Sequence, residues 1–216
     1  MHKVVDIALG ANVLAANQRI AEGTHSMLRS KGIRSFDFVG SIGSGKTLII
    51  ERLIDVLASE ALRVACIAGD VAGDDDYRRF VKRGAAAENV NTGKECHLDA
   101  HMVDHALEHL DLKKVDVLFV ENVGNLVCPG DFPLGTDKRV VVISVTEGDD
   151  MVRKHPLIFT IADVIVINKI DLASAVEVDP QVLVSDARKV NSRAPVVLMD
   201  AKHGKGLGEL RIALGL

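Results

Sequence analysis

Apolar residues in this chain fall into short, nearly unbroken runs separated by stretches with helical spacing. Runs at 35–39, 63–68, 115–121, 139–145, 163–168 and 195–199 are rich in Val, Ile, Leu and Phe and carry few alternating polar positions. That pattern predicts strands covered on both faces, the signature of a parallel sheet. Between them, residues 46–60, 74–83, 98–110, 150–161, 180–192 and 206–213 read as helices. Regular alternation of the two predicts a three-layer α/β domain with a mostly parallel sheet over residues 33–216. Residues 1–32 read as a helical N-terminal extension. Val13, Leu14, Asn17, Ile20 and Ala21 recur at helical spacing, and Gly32 ends a second stretch around Met27 and Leu28. The loop after Glu121, from Asn122 to Lys138, carries three glycines and two prolines, and its length marks it as functional.

The 216 residues fit one domain. With 48% hydrophobic but only 3% aromatic residues, the core must be aliphatic. No apolar run reaches the length of a membrane span, and the first residues lack a signal-peptide pattern, so the expected location is the cytoplasm. A net charge of −4 argues against a nucleic-acid partner held by bulk charge. Cys66, Cys96 and Cys128 cannot all pair within one chain and are expected to be thiols.

Chemistry enters at Gly40-Ser41-Ile42-Gly43-Ser44-Gly45-Lys46-Thr47, which fits the phosphate-loop pattern GxxxxGK[ST] at every defined position. A predicted strand precedes it and a predicted helix follows. Backbone N–H groups from Gly40, Ile42, Gly43, Ser44 and Gly45 are expected to turn around phosphate oxygens at the helix's positive end. Lys46 is expected on the β/γ-phosphates and Thr47 on Mg²⁺.

Asn168-Lys169-Ile170-Asp171 follows the strand 163–168, where ligands bind parallel sheets. It resembles the NKxD signature of GTPases. A carboxylate at Asp171 accepts two hydrogen bonds from guanine, a pair adenine cannot donate, so GTP is the expected nucleotide. Lys169 packs along the base in this reading. Asp200-Ala201-Lys202 stands where GTPases often carry Ser-Ala-Lys, with Asp replacing the first residue, and assigns Ala201 and Lys202 to the base.

Val117 to Glu121 is an apolar strand ending in a carboxylate, a Walker B arrangement with Glu in place of Asp. Glu121-Asn122-Val123-Gly124 takes the place of a DxxG switch, with Gly124 meeting the γ-phosphate and Glu121 holding Mg²⁺. Asp70 ends another predicted strand and joins the Mg²⁺ shell. Asp76 either orients the attacking water, assists Mg²⁺ or, with Asp74 and Asp75, caps the next helix. No glutamine stands at the switch, so slow turnover is expected.

Thiolate and imidazole suit Zn²⁺ or Ni²⁺. Cys96 and His97 are adjacent, and Cys128 lies in the presumed switch loop, so the three form a candidate metal site whose state follows the nucleotide. Three ligands leave the site open or shared with a second subunit. His97, His101, His105 and His109 recur at i, i+4 beside an apolar stripe. They form either a solvated or interfacial face or a shared metal site. Cys66 reads as core.

The phosphate loop, Thr92 to Asp99, Glu121 to Pro129, Thr146-Glu147-Gly148-Asp149-Asp150 and Asn168 to Asp171 occur in the order seen in the HypB family. These are nickel-incorporation GTPases of [NiFe]-hydrogenase maturation, in the SIMIBI class of P-loop GTPases. More distantly the chain is similar to UreG, the urease accessory GTPase, which supplies the alternative reading. The resemblance implies a GTP-dependent homodimer, formed through GTP, metal or both, that helps load nickel into the hydrogenase large subunit with a HypA-like metallochaperone. It places Cys96, His97 and Cys128 in a metal site at the subunit interface. Many family members carry a Cys- or His-rich N-terminal stretch. Residues 1–32 here hold only His2 and His25 and no cysteine, so no separate N-terminal nickel store is expected.

Overall fold

The fold is described from a computed structural model, which covers the backbone of residues 2–216 and the side chains of 12–216. Seven parallel strands form one sheet in the order β3-β2-β4-β1-β5-β6-β7. They are β1 (Arg34–Gly40), β2 (Val64–Asp70), β3 (Ala86–Asn91), β4 (Val117–Gly124), β5 (Lys138–Ser144), β6 (Val164–Asn168) and β7 (Val196–Leu198). The helices are α1 (His2–Ser30), α2 (Lys46–Ser59), α3 (Asp75–Lys82), α4 (Ala100–Glu108), α5 (Met151–Lys154), α6 (Pro156–Thr160), α7 (Pro180–Val190) and α8 (Leu207–Leu214).

Strand residues alternate between two helical layers. Phe36 and Phe38 pack with Ile49, Ile50, Leu53 and Leu57 of α2 and Leu210 of α8. On the opposite face, Val141, Ile143, Ile165 and Ile167 pack under α6 and α7, and Ile67, Leu118 and Val120 pack under α4. Leu53 is fully buried, and truncating it to Ala costs about 2–5 kcal/mol.

The predicted strands and most helices are present. β3 is an addition: Ala-Ala-Glu-Asn-Val-Asn is polar and half-exposed, as an edge strand tolerates, and lacks the apolar run of the others. The predicted helix 150–161 is two short helices, because Pro156 has no N–H to donate and starts a new one. β4 continues past Glu121 to Gly124, so the long loop begins three residues later than the sequence pattern predicts.

α1 is continuous to Ser30. Its buried Asn17 binds in two directions, accepting the N–H of Ala100 at 2.7 Å and donating to the carbonyl of Pro133 at 2.9 Å. That amide fastens α1 both to the start of α4 and to the loop after β4.

Candidate nucleotide and metal site

The chain crosses from one side of β1 to the other between β4 and β5, and ligands bind at such a switch point. The phosphate loop leaves β1 here. Gly45, at φ +101°, caps α2, and a Cβ there would sit 2.3 Å from Asn168 Nδ2. Only glycine provides both the left-handed backbone and the clearance. Lys46 is buried and donates from Nζ to the carbonyls of Gly40 (3.0 Å) and Ser41 (3.1 Å), folding over the loop. Burial lowers its pKa, against the attraction of Glu121, Asp76 and Glu147.

A cleft of about 400 Å³ opens beside the loop, lined by Ile42, Thr47, Asp70, Asp76, Glu121 and Gly124 among others. Thr47 Oγ1 donates to Glu121 Oε1 at 2.9 Å, while Glu121 Oε2 is buried with no hydrogen-bond partner. Burial and then Asp76 push the Glu121 carboxyl up to about 8, against Lys46 and Thr47. A buried carboxylate oxygen left unpaired beside a threonine hydroxyl fits a hard divalent cation. Asp70 Oδ1 accepts the N–H of Val71 at 2.6 Å, and Asp76 stands 3.5 Å from Arg79, which also pairs with Glu51 at 2.6 Å. Gly124 lies against the phosphate loop so closely that a Cβ would meet Ile42 Cγ1 at 2.2 Å.

Asn168 joins the phosphate loop to the segment after β7. Its Nδ2 donates to the Ser44 carbonyl (2.8 Å), and its Oδ1 accepts the Ala201 N–H (3.1 Å). Lys169 adopts a left-handed φ of +59° just beyond. Asp171 is exposed, with a carboxylate atom within 4.8 Å of ligand atoms of Asp200 and His203. Burial raises the Asp200 carboxyl, but its hydrogen bonds with His203 outweigh this and hold it below its ordinary value. Lys202 is exposed, and its carbonyl and that of Ala201 accept from Arg52 of α2 at 2.8 and 3.1 Å.

The ligand atoms of Cys96, His97 and Cys128 lie within 4.8 Å of one another, with Cys96 Sγ 3.7 Å from His97 Nδ1. The Cys128 thiol, and then burial, raise the Cys96 pKa, while burial holds His97 below its ordinary value. These donors suit a borderline transition ion such as Zn²⁺ or Ni²⁺. Two asparagines attach the Cys96–His97 segment to the end of β4. Asn122 Oδ1 accepts the Leu98 N–H at 3.0 Å, and Asn125 Nδ2 donates to the Cys96 carbonyl at 3.3 Å. An isolated antiparallel bridge pairs Asn125 with Gly40 of the phosphate loop.

The structure therefore groups Lys46, Thr47, Asp70, Asp76, Glu121 and Gly124 in one cleft, and Cys96, His97 and Cys128 in a second cluster. Asn168, Asp171, Ala201 and Lys202 stand together just beyond β6 and β7. Sequence reasoning missed several supporting residues. Glu147 accepts from Ser41 of the phosphate loop and from the Ser144 N–H. Arg139 pairs with buried Asp37 at 2.8 Å and donates to the carbonyls of Pro129 (2.9 Å), within the Cys128–Asp131 turn, and Phe132 (3.0 Å), just after it. Phe132 in turn packs on the His97 ring, centroids 4.2 Å apart. The available signal was a charge inside an apolar strand, Phe36-Asp37-Phe38, which requires a partner.

The fold and the loop define a P-loop nucleotide-binding domain, and residues 36–198 match the family described as CobW/HypB/UreG, nucleotide-binding domain. The chain is 53% identical over 210 residues to the probable hydrogenase maturation factor HypB of Methanocaldococcus jannaschii, covering 97% of this chain and 95% of that one. The crystal structure of HypB from Archaeoglobus fulgidus superposes with a TM-score of 0.85 at 49% identity, covering 93% of this chain and 99% of that one. The crystal structure of HypB from Helicobacter pylori in complex with nickel gives 0.86 at 34% identity, covering 92% and 93%. Several bacterial relatives are longer, and the chain spans about two thirds of their length. The chain belongs to the CobW/HypB/UreG family, and within it to the HypB hydrogenase maturation factors. Among the described residues, no helix is long and apolar enough to cross a membrane.

Proposed function

We propose that the protein is a slow GTPase that acts as a metallochaperone, its nucleotide state setting the hold of Cys96, His97 and Cys128 on Ni²⁺ or Zn²⁺. The observation that carries this reading is the attachment of the metal cluster to the switch. Asn122 and Asn125 flank Val123 and Gly124 and hold the Leu98 N–H and the Cys96 carbonyl. A shift at Gly124 of the kind a γ-phosphate causes in other switches moves both contacts.

In this reading, the phosphate-loop N–H groups cradle the phosphates and Lys46 turns from the loop carbonyls to the β/γ oxygens. Thr47 and Glu121 hold Mg²⁺, which supplies charge neutralisation on those oxygens when bound. Asp70 would join that shell, and Asp76 would orient the attacking water or assist Mg²⁺. Asp171 accepts from guanine, the Ala201 N–H and Lys202 border the base, and Lys169 stacks its stem along it. Residues 33–216 form the GTPase domain, with 1–32 as an N-terminal extension whose Asn17 binds the start of α4. The active species is a homodimer formed through GTP, metal or both, which works in the cytoplasm. It receives nickel with a HypA-like metallochaperone and passes it to the [NiFe]-hydrogenase large subunit.

The test is phosphate release from GTP and ATP by the wild type and by Lys46→Ala, with Ni²⁺ and Zn²⁺ titrations of both. Selective GTP hydrolysis that Lys46→Ala abolishes, with metal binding intact, supports the reading. Equal use of ATP, or transfer of phosphate to a small metabolite instead of water, overturns it.

A further inference from the structure

Asp200 stands where GTPases often carry a serine, and its carboxylate changes the electrostatics around Asp171. Asp200 is buried, and one of its oxygens lies within 4.8 Å of a carboxylate oxygen of Asp171. Two anions at that spacing repel each other. His203 stands against both. Its Nδ1 is 2.6 Å from Asp200 Oδ2, its backbone N–H donates to Asp200 Oδ1 at 3.1 Å, and a ring nitrogen lies within 4.8 Å of the Asp171 carboxylate.

The ring is carried on a closed turn. Asp200 and Lys205 exchange backbone hydrogen bonds, Asp200 N–H to the Lys205 carbonyl at 3.0 Å and Lys205 N–H to the Asp200 carbonyl at 3.1 Å. The Ile170 N–H donates to the Met199 carbonyl at 3.2 Å, which ties the segment bearing Asp171 to the residue just before the turn. His203 and Asp171 therefore sit on two attached loops at the ends of β7 and β6. With a proton on each nitrogen, an imidazole donates to two carboxylates at once and offsets one of their charges.

We propose that His203 is a positioning residue for nucleotide recognition: Asp200 holds its ring, and the ring orients the Asp171 carboxylate toward the N1–H and 2-amino group of a guanine nucleotide. This deepens, and rests on, the reading above in which Asp171 accepts from guanine. Without the ring, Asp171 faces the Asp200 charge and turns away from the geometry that accepts both hydrogen bonds. The second bond, to the 2-amino group, is the one that separates guanine from hypoxanthine.

The experiment measures GDP and IDP affinity by calorimetry for the wild type, His203→Ala, Asp171→Asn and the double variant, all as the full chain. The His203 side chain is 60% exposed, so its removal spares the fold, and an unchanged Tm confirms this. His203→Ala is expected to lower GDP affinity about 10-fold and to narrow the preference for GDP over IDP. In the Asp171→Asn background the same substitution changes GDP affinity by less than about 2-fold, because its effect runs through Asp171. His203→Ala with wild-type affinity and preference overturns the inference alone, provided Asp171→Asn loses GDP. A loss equal for GDP and IDP that persists in the Asp171→Asn background also overturns it, leaving His203 as a brace for the turn. Asp171→Asn with wild-type GDP affinity overturns the inference together with the guanine reading beneath it.

Discussion

Arg139 offers the sharpest perturbation, because one guanidinium connects the strand beneath the phosphate loop to the turn that carries Cys128. Its side chain is 10% exposed and that of Asp37 is 1% exposed. Burial pushes the Asp37 carboxyl up, and Arg139 pulls it back. Arg139→Met removes the 2.8 Å pair, takes the guanidinium from Asp37 and from the Phe132 carbonyl, and leaves the Pro129 carbonyl only the Phe132 N–H. Breaking a buried pair from one side costs about 3–5 kcal/mol. In a chain of this length that lowers Tm by roughly 6–20 °C. Asp37→Leu combined with Arg139→Met removes both charges, and a buried pair replaced by apolar groups recovers most of the stability. The turn around Cys128 still lacks its guanidinium anchor in that double variant, so its Zn²⁺ and Ni²⁺ affinity stays about 10–100-fold below the wild type. Thermal denaturation and thiolate-to-metal absorbance titrations read the two effects separately. A single variant with Tm within about 2 °C of the wild type, or a double variant with wild-type metal affinity, refutes the positioning role of Arg139.

Two further outcomes follow from the nucleotide region. Unfolded, Glu121 titrates near its ordinary value of 4.5, whereas in the fold it is pushed up to about 8. Between those values the folded chain keeps a proton that the unfolded chain has lost, so this group lowers stability as pH rises. Urea denaturation of the metal- and nucleotide-free wild type loses more stability across that window than Glu121→Gln does, and parallel pH profiles would sink the assignment. On the base side, Asp171→Asn replaces an acceptor pair with a mixed donor and acceptor. Two charge-assisted hydrogen bonds to guanine are lost, which costs GTP affinity about 100-fold or more. Fluorescent-nucleotide binding checks this, with xanthine triphosphate, whose 2-oxo group accepts, gaining where GTP loses; unchanged GTP affinity excludes Asp171 from the base.

The elements that were legible in the sequence are those with one dominant local signal. The phosphate loop is contiguous, and its strand–loop–helix context is present at Gly40–Thr47. The central strands announce themselves because burial on both faces forces unbroken apolar runs. β3 escaped because an edge strand with Glu88 and Asn89 needs no such run. Cys96, His97 and Cys128 were readable as residue types, and the fold brings their ligand atoms within 4.8 Å of one another. What holds them was not readable. Asn122 reaches Leu98 across 24 positions, Arg139 reaches Asp37 across 102, and Arg52 reaches Ala201 across 149. Such pairs are set by strand order, which local spacing does not encode. Pro156 is visible in the sequence, yet the apolar spacing through 150–161 outweighs it and hides the break.

The central claim is that nucleotide and metal are coupled through the Asn122–Asn125 attachment. The most direct test is Ni²⁺ affinity with a non-hydrolysable GTP analogue and with GDP, paired with the affinity of each nucleotide with and without Ni²⁺. Ni²⁺ affinity is expected to differ between the two nucleotide states by about 5–150-fold, and Ni²⁺ to change their relative affinity by the same factor. Asn122→Ala is expected to shrink that factor while leaving GTP bound. Ni²⁺ affinity that is the same in both nucleotide states would contradict it.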